Sequence, residues 1–136
     1  MKATVELQQN VNFKATSGTG HSVMMDGPPD FGGENLGARP MEFLLMGMGG
    51  CASFDVVHIL RKRRLQVDSC VADVEAERAD TDPKVFTKIH LHFKVSGPDL
   101  TEKAVAKAVE LSAEKYCSAS IMLGKTADVT HSYEIL

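Results

Sequence analysis

The chain has no tryptophan, only two tyrosines and only three cysteines in its 136 residues. With so few aromatic rings it lacks the stacking platforms on which single-stranded nucleic acid is held. An excess of positive charge is missing as well. Fifteen Lys and Arg stand against 18 Asp and Glu, a formal charge of −3. Nucleic-acid affinity rests on neutralising phosphates, so no such partner is expected. An odd cysteine count argues against an extracellular disulfide framework. The opening Met1-Lys2-Ala3-Thr4-Val5-Glu6 lacks the apolar run of a secretory signal. A reducing cytoplasm is therefore the expected compartment, with the cysteines kept as thiols. The longest apolar stretch, Phe43 to Ala52, contains Gly47, Gly49 and Gly50 and falls short of a bilayer crossing, so no membrane association is expected.

What is present reads as globular. Hydrophobic residues make up 43% and charged residues 24%, which argues against disorder. At ~150 residues per domain the length suits one domain over 1–136, large enough to fold without a disulfide staple or structural metal. Residues 1–39 read as strands and a loop. Ala3, Val5, Leu7, Val11, Phe13 and Ala15 share one parity, the period of a half-buried strand. Ser17-Gly18-Thr19-Gly20 is a turn and His21 to Met25 a return strand. The Gly- and Pro-rich run from Asp26 to Arg39 is a long loop, more often functional than idle in a compact domain.

Pro40 suits the first position of a helix, expected over 40–64. That helix is apolar nearly all round as far as Leu60 and must be covered on every side, so a partner subunit is expected. The cations Arg61 to Arg64 then fall at the negative end of the helix dipole. Over 65–136 two strands, 67–79 and 85–97, flank the turn Thr81-Asp82-Pro83-Lys84, with Ile89, Leu91, Phe93 and Val95 pointing inward. Thr101 is placed to cap a second helix, and a last strand carries Val129, His131, Tyr133 and Ile135. The order is that of an α+β domain.

Several chemical motifs fail on inspection. Gly124-Lys125-Thr126 resembles the end of a phosphate loop, but the glycine required five positions earlier is Ala119. Gly32, Gly33 and Gly37 do not have dinucleotide-fingerprint spacing, and no cofactor is expected. His90 and His92 share one strand face between Lys88 and Lys94. Two ligands without a third seldom make a metal site, so none is assigned. Cys70 shares parity with Ala72, Val74 and Ala76 and reads as a small core hydrophobe. Cys51 follows three glycines, each costing ~1 kcal/mol in a helix relative to Ala, which implies a packing or site requirement. Cys117 precedes a short turn beginning at Ser118. If helical, that turn would offer free amides favouring a thiolate. For Cys51 and Cys117 the residues alone leave core packing and chemistry both open.

The run Gly32-Gly33-Glu34-Asn35-Leu36-Gly37-Ala38-Arg39-Pro40-Met41-Glu42-Phe43-Leu44-Leu45-Met46-Gly47-Met48-Gly49-Gly50-Cys51 resembles the OsmC/Ohr family of osmotically inducible and organic-hydroperoxide-resistance proteins. So does Glu114-Lys115-Tyr116-Cys117-Ser118 at that family's second-cysteine position. The resemblance spans essentially the whole chain, in the family's YhfA-like branch. It implies an OsmC-like fold with antiparallel sheets around a long buried central helix, in an intertwined homodimer with paired cysteines at the interface. It also implies a thiol peroxidase. Cys51 attacks the O–O bond of a hydroperoxide to give sulfenic acid and an alcohol, Cys117 resolves it as a disulfide, and an external dithiol reduces that bond.

This chain departs from the family's polar shell. Peroxidase members carry a glutamate directly after the helix-starting proline, where Met41 stands here. Glu42 lies nine positions before Cys51 and so about 180° around the helix from it. The family also takes an arginine from its amino-terminal strands, yet residues 1–38 contain none, leaving Arg39 as a nearby cation. In the second motif Glu114 and Ser118 replace the family's His and Pro. Asp55 falls about 40° from Cys51 on the helix, where its charge opposes a thiolate. His58 is spaced to pair with it. Arg39, Glu42, Asp55, His58 and Glu114 are therefore the supporting candidates. The alternative is a non-enzymatic protein holding a small apolar or acyl ligand in the interface cleft, lined by Met24, Met25, Met41, Met46 and Met48.

Overall fold

A computed structural model describes all residues from 1 to 136. The chain forms two compact units, Met1–Leu44 and Leu45–Leu136.

The first unit is a three-stranded antiparallel meander of β1 (Ala3–Gln9), β2 (Asn12–Ser17) and β3 (Ser22–Met25). The alternating stretch expected as one strand over 3–15 is two. Asn10 adopts φ 47, and the chain reverses there so that Leu7 pairs with Phe13 and Val5 with Ala15. Because directly opposed residues share a face, the parity of the apolar set survives the turn. The loop after β3 is pinned by Asp26, whose carboxylate accepts from the backbone N–H groups of Gly27, Glu34 and Leu36 at 2.9, 3.0 and 3.0 Å. Gly33 and Gly37 are required by close approach. A Cβ on either would collide with backbone, the carbonyls of Gly27 and Met24 respectively.

Helix α1 (Pro40–Lys62) begins at the expected proline and stops two residues short of the expected end. Arg64 takes φ 62, Leu65 N–H donates to the Leu60 carbonyl and Arg64 N–H to that of Arg61. These paired bonds close the helix as a left-handed C-terminal cap. Met48, Ala52, Val56 and Leu60 are fully buried at an i, i+4 spacing, whereas Leu44, Met46 and Phe54 are exposed. The expected all-round burial is thus met on one stripe only. At 23 residues and mean hydropathy 1.6 over its most apolar window, α1 is long and apolar enough to cross a membrane. The expectation of a short apolar run stopped at Ala52 and underestimated it. Its buried stripe is that of a core helix.

The second unit holds a three-stranded sheet in the order β4 (Ser69–Arg78), β5 (Phe86–Ser96), β6 (Asp128–Ile135). β4 and β5 are antiparallel, but β5 and β6 run parallel with Ile89 opposite Val129 and Phe93 opposite Tyr133. The sheet is therefore mixed, not antiparallel throughout. A parallel neighbour needs a long crossover, and the connection supplies it as α2 (Glu102–Leu111), a π-helical turn (Ser112–Tyr116) and α3 (Ser118–Leu123). Ile89, Leu91, Phe93 and Val95 are buried with Ala104, Val105, Ala108 and Val109 of α2, each large side chain contributing ~1.5–3 kcal/mol. On the opposite face of β4 and β5 acids meet bases as expected, Asp73 with Lys94 at 2.7 Å and Glu77 with Lys88 at 3.8 Å. His90 and His92 stand on that face too, bonded to Thr130, Ser132 and Glu134 of β6.

Candidate active site

The second unit brings Cys51 and Cys117 together. One thiol sits on α1, the other after the π-helical turn, and their sulfurs lie within 4.8 Å of each other and of an Asp55 carboxylate oxygen. The π turn accomplishes this. Its wider ring, closed by Cys117 N–H to the Ser112 carbonyl at 2.9 Å, releases the chain from α2 and leaves Cys117 extended at φ −72, ψ 100. Such turns are frequent at functional sites. Cys117 is then the N-cap of α3, its sulfur accepting from Ser120 N–H at 3.3 Å and Ser120 Oγ–H at 3.1 Å.

The electrostatics differ from the sequence expectation. Cys117 does receive the helix amide, but it is fully buried. Burial pushes its thiol above the ordinary range, Ser120 offsets part of that, and the neighbouring Cys51 raises it further. Burial also raises the Asp55 carboxyl, opposed by its bond from Ser112 and by the charge of His58. Ser112, itself buried, donates to Asp55 at 3.4 Å and to the Ala52 carbonyl at 3.3 Å. Sequence reading overlooked both serines. The Cys117-x-x-Ser120 spacing of an N-cap was the available signal for one; nothing local marked Ser112.

Arg39 turns its guanidinium to Asn35 Oδ1 and the Gly37 carbonyl at 3.4 and 3.3 Å. Glu42 accepts from Arg39 N–H at 2.8 Å, the returning half of a helix capping box. Both are thus engaged at the start of α1. His58 is exposed and stacks on Phe54, with ring centroids 5.8 Å apart, and it forms no close ion pair with Asp55. Glu114 is exposed on the π turn. Cys70 lies on the other flank of α1, its thiol pKa raised by burial and lowered by a bond with Ser53. Among the glycines before Cys51, only Gly49 meets a neighbour closely, Val74, while Gly47 and Gly50 face open space. Met48 belongs to the core and is unavailable as a ligand-cleft lining; Met46 is half exposed.

A family model described as OsmC-like protein matches residues 32–132. The chain is 45% identical over 139 residues to Protein YhfA of Escherichia coli strain K12, covering 100% of this chain and 98% of that one. A crystal structure of a hypothetical protein from Aquifex aeolicus is 31% identical with TM-score 0.87, over 99% of this chain and 95% of that chain. The organic hydroperoxide resistance protein OhrB of Bacillus subtilis shares the fold at TM-score 0.65 and 20% identity, over 98% and 96%.

Proposed function

This chain belongs to the OsmC-like protein family, and we propose that it is a cysteine-based redox protein that reduces hydroperoxides. Cys51 is the attacking thiol and Cys117 the resolving one. The observation that carries this reading is the meeting of two sulfurs distant in sequence within 4.8 Å. Chemically, the Cys51 thiolate takes the terminal oxygen of ROOH, the O–O bond breaks, and the alkoxide leaves as ROH after protonation. The sulfenic acid condenses with the Cys117 thiol, releasing water and forming the disulfide. An external dithiol returns both sulfurs to thiols and becomes a disulfide itself. A half-buried Cys51 beside a fully buried Cys117 supports the division of labour, since the attacking sulfur needs access.

The working form is a homodimer in the cytoplasm, where dithiols are available. The exposed apolar side chains of α1, with Phe54 at 69% and Met46 at 51%, support self-association, because surfaces of that kind mark interfaces. Protein reduced and then treated with one equivalent of tert-butyl hydroperoxide should lose two hydrogens by mass spectrometry and yield a peptide linking residues 51 and 117. With a dithiol present it should consume the hydroperoxide steadily. Equal consumption by Cys51→Ser would reject the assignment.

A further inference from the structure

The two thiols do not stand alone: the third group within 4.8 Å of both is the carboxylate of Asp55. For a peroxidatic thiolate this is an unfavourable neighbour, since like charges oppose each other's ionisation. Two soft sulfur donors and one hard oxygen donor converging within 4.8 Å also suit a second chemistry. We propose that Cys51, Asp55 and Cys117 form a binding site for zinc or a similar thiophilic divalent cation, with an open fourth position.

Geometry supports three ligands. Zinc bonds of ~2.3 Å to sulfur and ~2.0 Å to oxygen place tetrahedral ligand atoms ~3.4–3.8 Å apart. Separations of at most 4.8 Å need to close by no more than about 1.0–1.4 Å to reach that spacing. The two helical ligands are spaced i, i+4, which puts them on neighbouring turns of one face. Cys117 comes from a separate element, so the set is convergent in three dimensions. The outer contacts are those that orient ligands in metal sites. Ser112 donates to Asp55 and Ser120 donates twice to the Cys117 sulfur. Ligand softness selects zinc over magnesium or calcium. Asp55 also borders a groove of about 310 Å³ lined by His58, Ile59, Lys62, Arg63, Leu111 and Tyr116.

Binding balances as one M²⁺ plus two thiols and a carboxylate giving the complex, with both thiol protons released to solvent. The same sulfurs cannot hold the metal and be oxidised to a disulfide. The bound cation therefore protects them, and the oxidised protein does not bind it.

Cobalt(II) is the probe. Reduced, metal-free protein titrated anaerobically with Co²⁺ should develop a sulfur-to-cobalt charge-transfer band at one equivalent, displaced by one equivalent of Zn²⁺. Cys51→Ser and Cys117→Ser should each abolish or halve the band, Cys70→Ala should keep it, and Asp55→Asn should weaken affinity at least tenfold. Unchanged circular dichroism establishes that each variant is folded. No band in wild type, a band that follows Cys70, or an Asp55→Asn affinity equal to wild type would overturn the site. Disulfide formation by metal-free protein with tert-butyl hydroperoxide tests the redox reading separately, so failure of one leaves the other standing or falling by its own measurement.

Discussion

Three backbone amides converge on the Asp26 carboxylate, which is almost wholly inaccessible. Hydrogen bonds to a charged acceptor favour that charge, and those bonds, chiefly from Leu36, hold the Asp26 pKa below its ordinary value. The stabilisation is complete above the unfolded carboxyl's pKa, about 3.9. It is lost as pH falls through the lower folded value. Acid titration of the amino-terminal loop, followed by amide exchange at Glu34 and Leu36, should show protection falling there, and Asp26→Asn should be less protected at neutral pH. His131 presents the opposite charge with the same direction. Its ring stacks on Phe93 and its Nε2 is buried with no partner. Burial, and secondarily the charge of His90, lower its pKa. The folded state therefore favours the neutral ring, and stability falls as pH drops through the ordinary histidine range near ~6.5. Denaturant melts from pH 7 to 5 should lose that slope in part in His131→Phe.

Helix ends account for much of what holds the elements in place. Thr101 accepts from Ala104 N–H at 3.2 Å and starts α2. Removing such a cap costs ~1 kcal/mol, so Thr101→Ala should melt about 3 °C lower, read by calorimetry. At the start of α1 Glu42 serves as a cap, accepting from the backbone N–H of Arg39. The π turn between α2 and α3 matters most for chemistry, because it sets Cys117 as the cap of a new helix rather than the tail of the old one.

At the level of the whole molecule, the exposed apolar flank of α1 carries the expectation of self-association. Phe54→Asp, at a position 69% exposed, should shift sedimentation from dimer to monomer while leaving circular dichroism unchanged. Oxidation of Cys51 and Cys117 closes a loop of about 66 residues, worth up to ~4 kcal/mol by loop entropy. Peroxide-treated protein should accordingly unfold at higher denaturant concentration than reduced protein, and Cys117→Ser should show no such gain.

Period-two and helical spacing were enough to place α1, the two strands around Pro83, the Thr101 cap and the inward set Ile89 to Val95, because burial alternates with the local geometry of each element. The cysteine motifs were likewise visible as linear text. What one dimension could not express was the direction of β6 beside β5, since a parallel or antiparallel partner carries the same alternation and only the helical crossover decides between them. Helix spacing set Asp55 beside Cys51, but one dimension could not bring Cys117 and Ser112 to them. Proximity there arises from a five-residue π turn and from packing across about 66 residues of chain, and the burial of Cys117, which outweighs its favourable helix amide, exists only once those elements close over it.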